Sequence, residues 1–284
     1  MAGMRDIKRR IRSVKSTQQI TKAMKMVSAA KLRKSQEKLL QYRPFSEAHH
    51  AMVGRVLSRN EDISHPLLTT REEGPMLFLF LTSDKGLCGG FNHGIMRLLE
   101  EKIKQLDREQ VFLYPVGKKG RDYFRKRGYN IWKYLPMSSK EDLFSVSQQI
   151  GEEIITAYSK NEFRVIEIGY SFFRSALVQK PQLNPLIPLV PEPFEEEYPR
   201  EYLFEPSAQK VVDILLPLSV KLKIYRSILE TNTAEHGARM TAMDSATNNA
   251  VEMVASLTLT YNKARQAAIT KELIEVVSGA DALK

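Results

Sequence analysis

What this chain lacks bounds it first. It has one cysteine, Cys88, in 284 residues, which excludes an intramolecular disulfide framework and a cysteine-cluster metal site. No apolar run approaches the roughly 20 residues needed to cross a bilayer. The basic N-terminus MAGMRDIKRRIRS has no apolar stretch behind its charges, so it does not read as a secretory signal. A helical pattern begins there at once, which favours a mature N-terminus over an organellar presequence. The five histidines, His49, His50, His65, His93 and His236, show no ligand spacing such as HExxH. Residues 1–40 hold no aromatic side chain. Acid is scarce there too: residues 1–43 carry 13 Lys/Arg against 2 Asp/Glu, a net of +11 in a chain whose total is +10. The basic character therefore belongs to one segment, and the rest sums to −1.

What is present is globular in composition, 43% hydrophobic and 27% charged, consistent with an intracellular soluble or peripheral protein. Residues 2–58 have no proline before Pro44 and no glycine between Gly3 and Gly54. They are rich in helix formers. Met4, Ile7, Ile11 and Val14 form an apolar stripe, which lapses and resumes at Ile20, Met24, Val27 and Leu32. Pro44 is expected to kink or interrupt this helix. Residues 75–190 change texture: MLFLFL (76–81), VFLYPV (111–116), NIWKYL (130–135) and FRVIEIGYSF (163–172) read as strands. Helical stretches lie near 92–108, 118–128 and 141–159. Alternation of this kind predicts a mostly parallel sheet covered by helices. QLNPLIPLV (182–190) suits an edge strand because of its prolines. PEPFEEEYPREYLFEPS (191–207) is an acidic, proline-rich connector, with Ser207 placed to cap the next helix.

Residues 208–284 form a second long helical segment, with no proline after Pro217. Val211, Leu215, Leu218, Leu222, Tyr225 and Leu229 alternate steps of four and three, a coiled-coil seam. The same register meets Asn232, His236 and Arg239, then recovers at Met243, Ala246, Ala250, Met253, Leu257 and Ala264. At about 1.5 Å per residue the two end segments would reach about 75 Å and 105 Å. They pair most economically as an antiparallel coiled coil, with the α/β domain (75–190) between them in sequence. The C-terminal stretch 269–284 is apolar for a chain end, and points to an enclosing partner.

TSDKGLCGGFN (82–92) comes directly after the first strand and invites comparison with a phosphate cradle. A Walker A loop needs a Lys-Ser/Thr pair after its glycines; here Lys85 precedes them. Gly86, Gly89, Gly90 and Gly94 also miss the GxGxxG spacing. The spacing favours a tight strand-to-helix turn, with Asn92 as a helix cap. Ser207-Ala-Gln-Lys210 matches SxxK but sits at a helix start, where a cap is the simpler role. No catalytic, cofactor or metal site emerges. The basic segment is open to two readings, docking on an acidic protein or a solvated helix face. Nucleic-acid recognition is disfavoured, since no stacking aromatics accompany the charges.

Three blocks together are specific. IKRRIRSVKSTQQITKAMKMVSAAKLRKSQ (7–36), TSDKGLCGGFN and ARMTAMDSATNNA…YNKARQAAITKELIEVVSGADAL (238–283) resemble the gamma subunit of rotary ATP synthases, in the same order and across the whole chain. The resemblance implies an antiparallel coiled-coil shaft with a Rossmann-like α/β domain beside its foot. It implies one copy per complex, inside three alpha and three beta subunits. The foot would rest on the c-subunit ring and carry epsilon, peripheral to the cell membrane on its cytoplasmic side. Rotation driven by protons would then change the state of the catalytic beta subunits, with no cofactor and no nucleic acid held here. By the same resemblance Met24 and Lys25 face an acidic lever of beta, with Arg239 packing opposite. Arg265 and Gln266 meet an acidic catch loop, and Tyr202 and Glu205 belong to the foot. The dithiol insertion of chloroplast gamma subunits is missing, so redox gating is not implied, and the N-terminus favours a bacterial enzyme. The competing classes are a nucleotide-dependent enzyme with a coiled-coil arm and a basic coiled-coil nucleic-acid binder.

Overall fold

The computed structural model describes residues 4–58, 63–137, 142–190, 204–205 and 207–281. By packing, the chain divides into two compact units: Met1–Ser28 with Met240–Lys284, and Ala29–Arg239. Two helices contribute to both, α1 (Met4–Ser58) and α5 (Ala208–Asp281). Pro44 lies inside α1, exposed, and Pro217 lies inside α5; neither ends its helix.

The larger unit is built on one five-stranded sheet. Its strands are β1 (Met76–Leu81), β2 (Val111–Val116), β3 (Asn130–Ile131), β4 (Val165–Phe173) and β5 (Gln179–Ile187), in the order β3-β2-β1-β4-β5. The first four are parallel and β5 runs antiparallel to β4. This order is that of a doubly wound dinucleotide-binding sheet. All six residues of β1 are buried, as a central strand covered on both faces requires. Leu77, Leu79 and Leu81 pack with Ile150 and Ile154 of α4 (Leu143–Ser159) and with Leu216, Val220 and Ile224 of α5. Phe78 and Phe80 face Ile95 and Leu99 of α2 (Phe91–Ile103) and Phe124 of α3 (Lys118–Arg125). Proline-bearing β5 takes the edge, as its sequence predicts. The strand expected over 130–135 shrinks to two residues plus a bridge from Val116 to Leu135.

In this unit α5 is buried on two sides. Leu222 and Leu229 belong to the predicted seam, and Tyr42 of α1 meets Tyr225 edge-on at 4.9 Å while donating from its hydroxyl to the Leu222 carbonyl at 3.0 Å. Val212, Leu216, Val220, Ile224 and Ile228, at steps of four, form a second stripe that joins the sheet core. Val56 of α1 reaches the same cluster as Val212, so the helices here run antiparallel.

In the smaller unit α1 and α5 also pair antiparallel: Thr247 donates to Thr21 at 2.8 Å, and Lys25 reaches Asp244 at 2.5 Å. The register differs from the apolar reading of the sequence. Ile20, Val27 and Met253 are exposed. Ile7, Ile11, Val14, Gln18, Thr21, Lys25 and Ser28 of α1 are covered, in unbroken steps of four and three, and Met24 is half-buried beside them. Leu32, Ser35 and Leu39 continue the spacing in the larger unit. The heptad does not lapse after Val14; its seam changes to small hydroxyl side chains. Thr21 and Ser35 can be buried because each hydroxyl donates to a carbonyl of its own helix. On α5, Val254 takes the covered position expected of Met253.

Leu222 is 5% exposed. Leu222→Asp places an unpaired carboxylate there and is expected to destabilise the full chain by several kcal/mol, on the order of 3; chemical denaturation followed by circular dichroism measures it.

Candidate functional site

The glycine-rich loop is the first place to look for chemistry, because it leaves β1 at the carboxyl edge of the sheet, where doubly wound folds hold nucleotides. Several of its polar groups are bonded to the neighbouring helix. Thr82 Oγ1 accepts from the Gly120 N–H at 3.0 Å, the Ser83 carbonyl from Lys119 N–H at 3.1 Å, and Asp84 Oδ1 from Lys118 N–H at 2.7 Å. These are the N–H groups at the start of α3, so the loop after β1 is tied to that neighbouring helix and its start offers no free donors to a phosphate. Asn92 is not the helix cap the sequence suggests. It lies inside α2, whose N-cap is Gly90, and its buried amide accepts from Ser83 N–H at 2.9 Å and donates to Ser83 Oγ at 2.7 Å and to Cys88 Sγ at 3.3 Å. Among the loop glycines Gly89 takes a positive φ of 56°. The turn is therefore tight and internally bonded.

Helix α5 occupies the rest of the crevice. Beyond Gly169, β4 outruns its partner β1 and exposes N–H groups on that side. Ser171 N–H donates to Thr231 Oγ1 at 3.4 Å and Phe173 N–H to Glu230 Oε2 at 3.0 Å. Glu230 is fully buried and also meets Arg43 of α1 at 3.3 Å. Arg239 pairs with Glu235 at 2.7 Å and donates to the Gly86 carbonyl at 3.4 Å, with only 12% of its side chain exposed. Burial pushes the Glu235 carboxyl upward, and Arg239 opposes the shift.

No local pattern marks Gly120. A Cβ there would sit 2.4 Å from Phe80 Cε2 and 2.9 Å from Thr82 Oγ1. Gly120→Ala is expected to cost about 1–3 kcal/mol by overpacking, read as a lowered urea midpoint with an unchanged denaturant slope.

The residues singled out by resemblance fall in several places. Met24 and Lys25 are half-buried on α1 of the smaller unit, and Lys25 is held by Asp244. Arg265 and Gln266 are exposed on α5 of that unit. Arg239 belongs to the larger unit and is turned inward onto Glu235 and the glycine loop. Glu205 is exposed, whereas Tyr202 lies outside the described residues. Ser207 accepts from Lys210 N–H at 3.4 Å, the capping role expected of it. Around the smaller unit's helix pair, Arg5, Lys8, Arg9, Arg10, Arg12, Lys15 and Lys22 are exposed. Near its C-terminal end Ile269, Leu273, Ile274, Val276 and Val277 are each at least half exposed. Among the described residues no group of three His, Cys, Asp or Glu could hold a metal ion, and no helix is long and apolar enough to cross a membrane.

His236, one turn before Arg239, breaks the apolar seam. Its Nδ1 is buried with no hydrogen-bond partner among the described residues. Burial, then the positive charges of Arg239 and Lys31, lower its pKa to about 4 from an ordinary 6.5. The folded chain thus holds the neutral imidazole, while the unfolded chain takes up a proton near pH 6.5. Stability from this group is complete above pH 6.5 and is lost as pH falls toward 4. His236→Asn is expected to flatten the stability curve between pH 6.5 and 4 relative to the parent, measured by denaturation at stepped pH.

Comparison with known proteins adds identity to this geometry. A family model described as ATP synthase matches residues 3–283. The ATP synthase gamma chain of Pelotomaculum thermopropionicum is 46% identical over 285 residues, covering 100% of both chains. That of Chlorobaculum parvum is 44% identical over 291 residues, again covering 100% of both. A chain in the Euglena gracilis mitochondrial ATP synthase, OSCP/F1/c-ring in rotational state 3, superposes with a TM-score of 0.67 at 17% identity, over 99% of this chain and 94% of that one. One from the central stalk and c-ring of the Tetrahymena thermophila mitochondrial ATP synthase gives 0.62 at 23% identity, over 80% and 99%. The two solved structures share the fold, and the full-length sequence matches go further: the chain belongs to the ATP synthase gamma-chain family.

Proposed function

We propose that the chain is the central-stalk rotor subunit of a proton-driven ATP synthase and is itself non-catalytic. It carries torque from a ring of c subunits to the beta subunits of an assembly with three alpha and three beta, in one copy, with epsilon bound near the foot. Its place is peripheral, on the cytoplasmic side of the cell membrane. The observation that carries this reading, beside the family, is the filled crevice. A doubly wound sheet whose nucleotide position is occupied by its own helix α5 is a scaffold for that helix. The runner-up, a nucleotide-dependent enzyme with a coiled-coil arm, lacks the Lys-Ser/Thr pair after the loop glycines, and three of the loop's polar groups are already bonded to the start of α3.

A rotor changes its neighbours' states only if it touches each state differently. The smaller unit offers the means. Its exposed cations on α1 and the exposed Arg265 and Gln266 on α5 suit acidic loops of beta, with attraction screened within about 10 Å at 0.1 M salt. Its exposed apolar end suits an enclosing collar that makes no directional bonds. Met24 and Lys25 are the proposed contacts for an acidic lever. Arg239, turned inward, serves by holding α5 to the glycine loop. Tyr202 and Glu205 are proposed for the c-ring-facing foot.

Reconstitution with alpha and beta subunits tests the proposal. The purified chain alone hydrolyses no ATP, and the complex turns over only when it is added. Arg265→Ala with Gln266→Ala lowers ATP-driven turnover by roughly tenfold, about 1.4 kcal/mol at the barrier. Robust ATPase activity of the chain by itself overturns the reading.

A further inference from the structure

Within the larger unit a cavity of about 640 Å³ opens between α1, the β4–β5 edge and α5. Its size falls within the range of roughly 300–1,000 Å³ typical of small-molecule sites. Val53 and Leu57 of α1 and Phe172 of β4 supply apolar wall. The basic lining residues are His49, His50, Lys223 and Arg226, and among the described residues no carboxylate lines the cavity. Two of these have unspent hydrogen-bonding capacity. His49 is 8% exposed and its Nε2 is buried with no hydrogen-bond partner among the described residues. Arg226 is half-buried and makes no ion pair or hydrogen bond among the described residues, unlike Arg43 on the facing helix, which pairs with Glu230. Lys223 donates to the Pro185 carbonyl at 2.7 Å, which fixes an ammonium at the same wall.

A guanidinium with no carboxylate among the described residues, sharing a cavity with an unpaired imidazole nitrogen and an apolar wall, is incomplete on its own. Planar guanidinium matches carboxylate in a bidentate fork, where ammonium acts only as a point charge. We propose that this cavity is a binding site for a small amphipathic carboxylate, whose head pairs with Arg226 near His49 and whose apolar body lies against Val53, Leu57 and Phe172. Because the walls come from α1, the sheet edge and α5, such a ligand would tie the paired helices to the sheet and stiffen the base from which α5 leaves. The assignment stands on this cavity alone, independently of the rotor reading.

Calorimetric titration of the full-length chain with decanoate tests it, with decanol and decyltrimethylammonium as uncharged and cationic controls. Saturable one-to-one decanoate binding is expected, with a rise in unfolding temperature on saturation and no binding of the cation. Arg226→Gln should weaken decanoate about tenfold while leaving the unliganded unfolding temperature within a few degrees. Val53→Trp should abolish binding by filling the cavity; if that variant fails to fold, Arg226→Gln decides alone. Absence of saturable binding, equal binding of decanol, or undiminished affinity in Arg226→Gln overturns the proposal.

Discussion

A fully buried carboxylate, that of Glu230, is the constraint on which the arrangement of the larger unit depends. An ionised group removed from water must be repaid by charge and hydrogen bonds, and a single missing partner is costly. Glu230 draws its partners from two directions: the Arg43 guanidinium on α1 and the Phe173 N–H at the overrunning end of β4. One residue of α5 therefore fixes its position against both the other long helix and the sheet. Thr231 bonds Ser171 N–H beside it. Apolar stripes slide at small cost; this pairing has one register. The contacts of Tyr42 with Leu222 and Tyr225 lie in the same stretch and share that register.

The smaller unit is governed differently. Its seam contains Gln18, Thr21, Lys25 and Ser28 on α1, faced by Asp244 and Thr247 on α5. Small hydroxyl side chains allow close helix approach with little apolar area to bury. The Lys25–Asp244 pair, 42% and 45% exposed at its side chains, is screened by solvent and adds little stability. The apolar side chains a core would normally claim, Ile20, Val27, Leu259 and Leu273, are instead exposed. A helix pair that keeps many of its hydrophobic residues outside is shaped for its surroundings as well as for its own packing.

This inversion also explains which parts of the structure are legible in the sequence. The strands announce themselves because β1, β2 and β4 are runs of apolar residues bounded by turns, and the prolines of β5 mark an edge. The seam of α1 escapes an apolar reading because Thr, Ser and Gln carry no hydrophobic signal, and the buried hydroxyls rely on hydrogen bonds that periodicity does not reveal. Asn92 resembles a cap because it stands near a helix start; its bond to Ser83 nine residues earlier is tertiary. Gly120 and the cavity beside Arg226 exist only when separate elements meet. Glu230 leaves no distinctive trace, since it stands in the mixed stretch RSILETNTAEH (226–236). Of the residues chosen by resemblance, Arg265 and Gln266 stand exposed on a helix face, whereas Arg239 faces inward, a distinction no local pattern carries.

The lone cysteine has a practical meaning. Cys88 is 2% exposed, contacts Ser83 and Asn92, and has its thiol pushed upward by burial, so little of it is thiolate at neutral pH. The native chain is therefore close to blank toward maleimide reagents without any substitution. A cysteine introduced on an exposed face of α5 would be the one reactive thiol, and a fluorophore or bead attached there would report the motion of a single defined point.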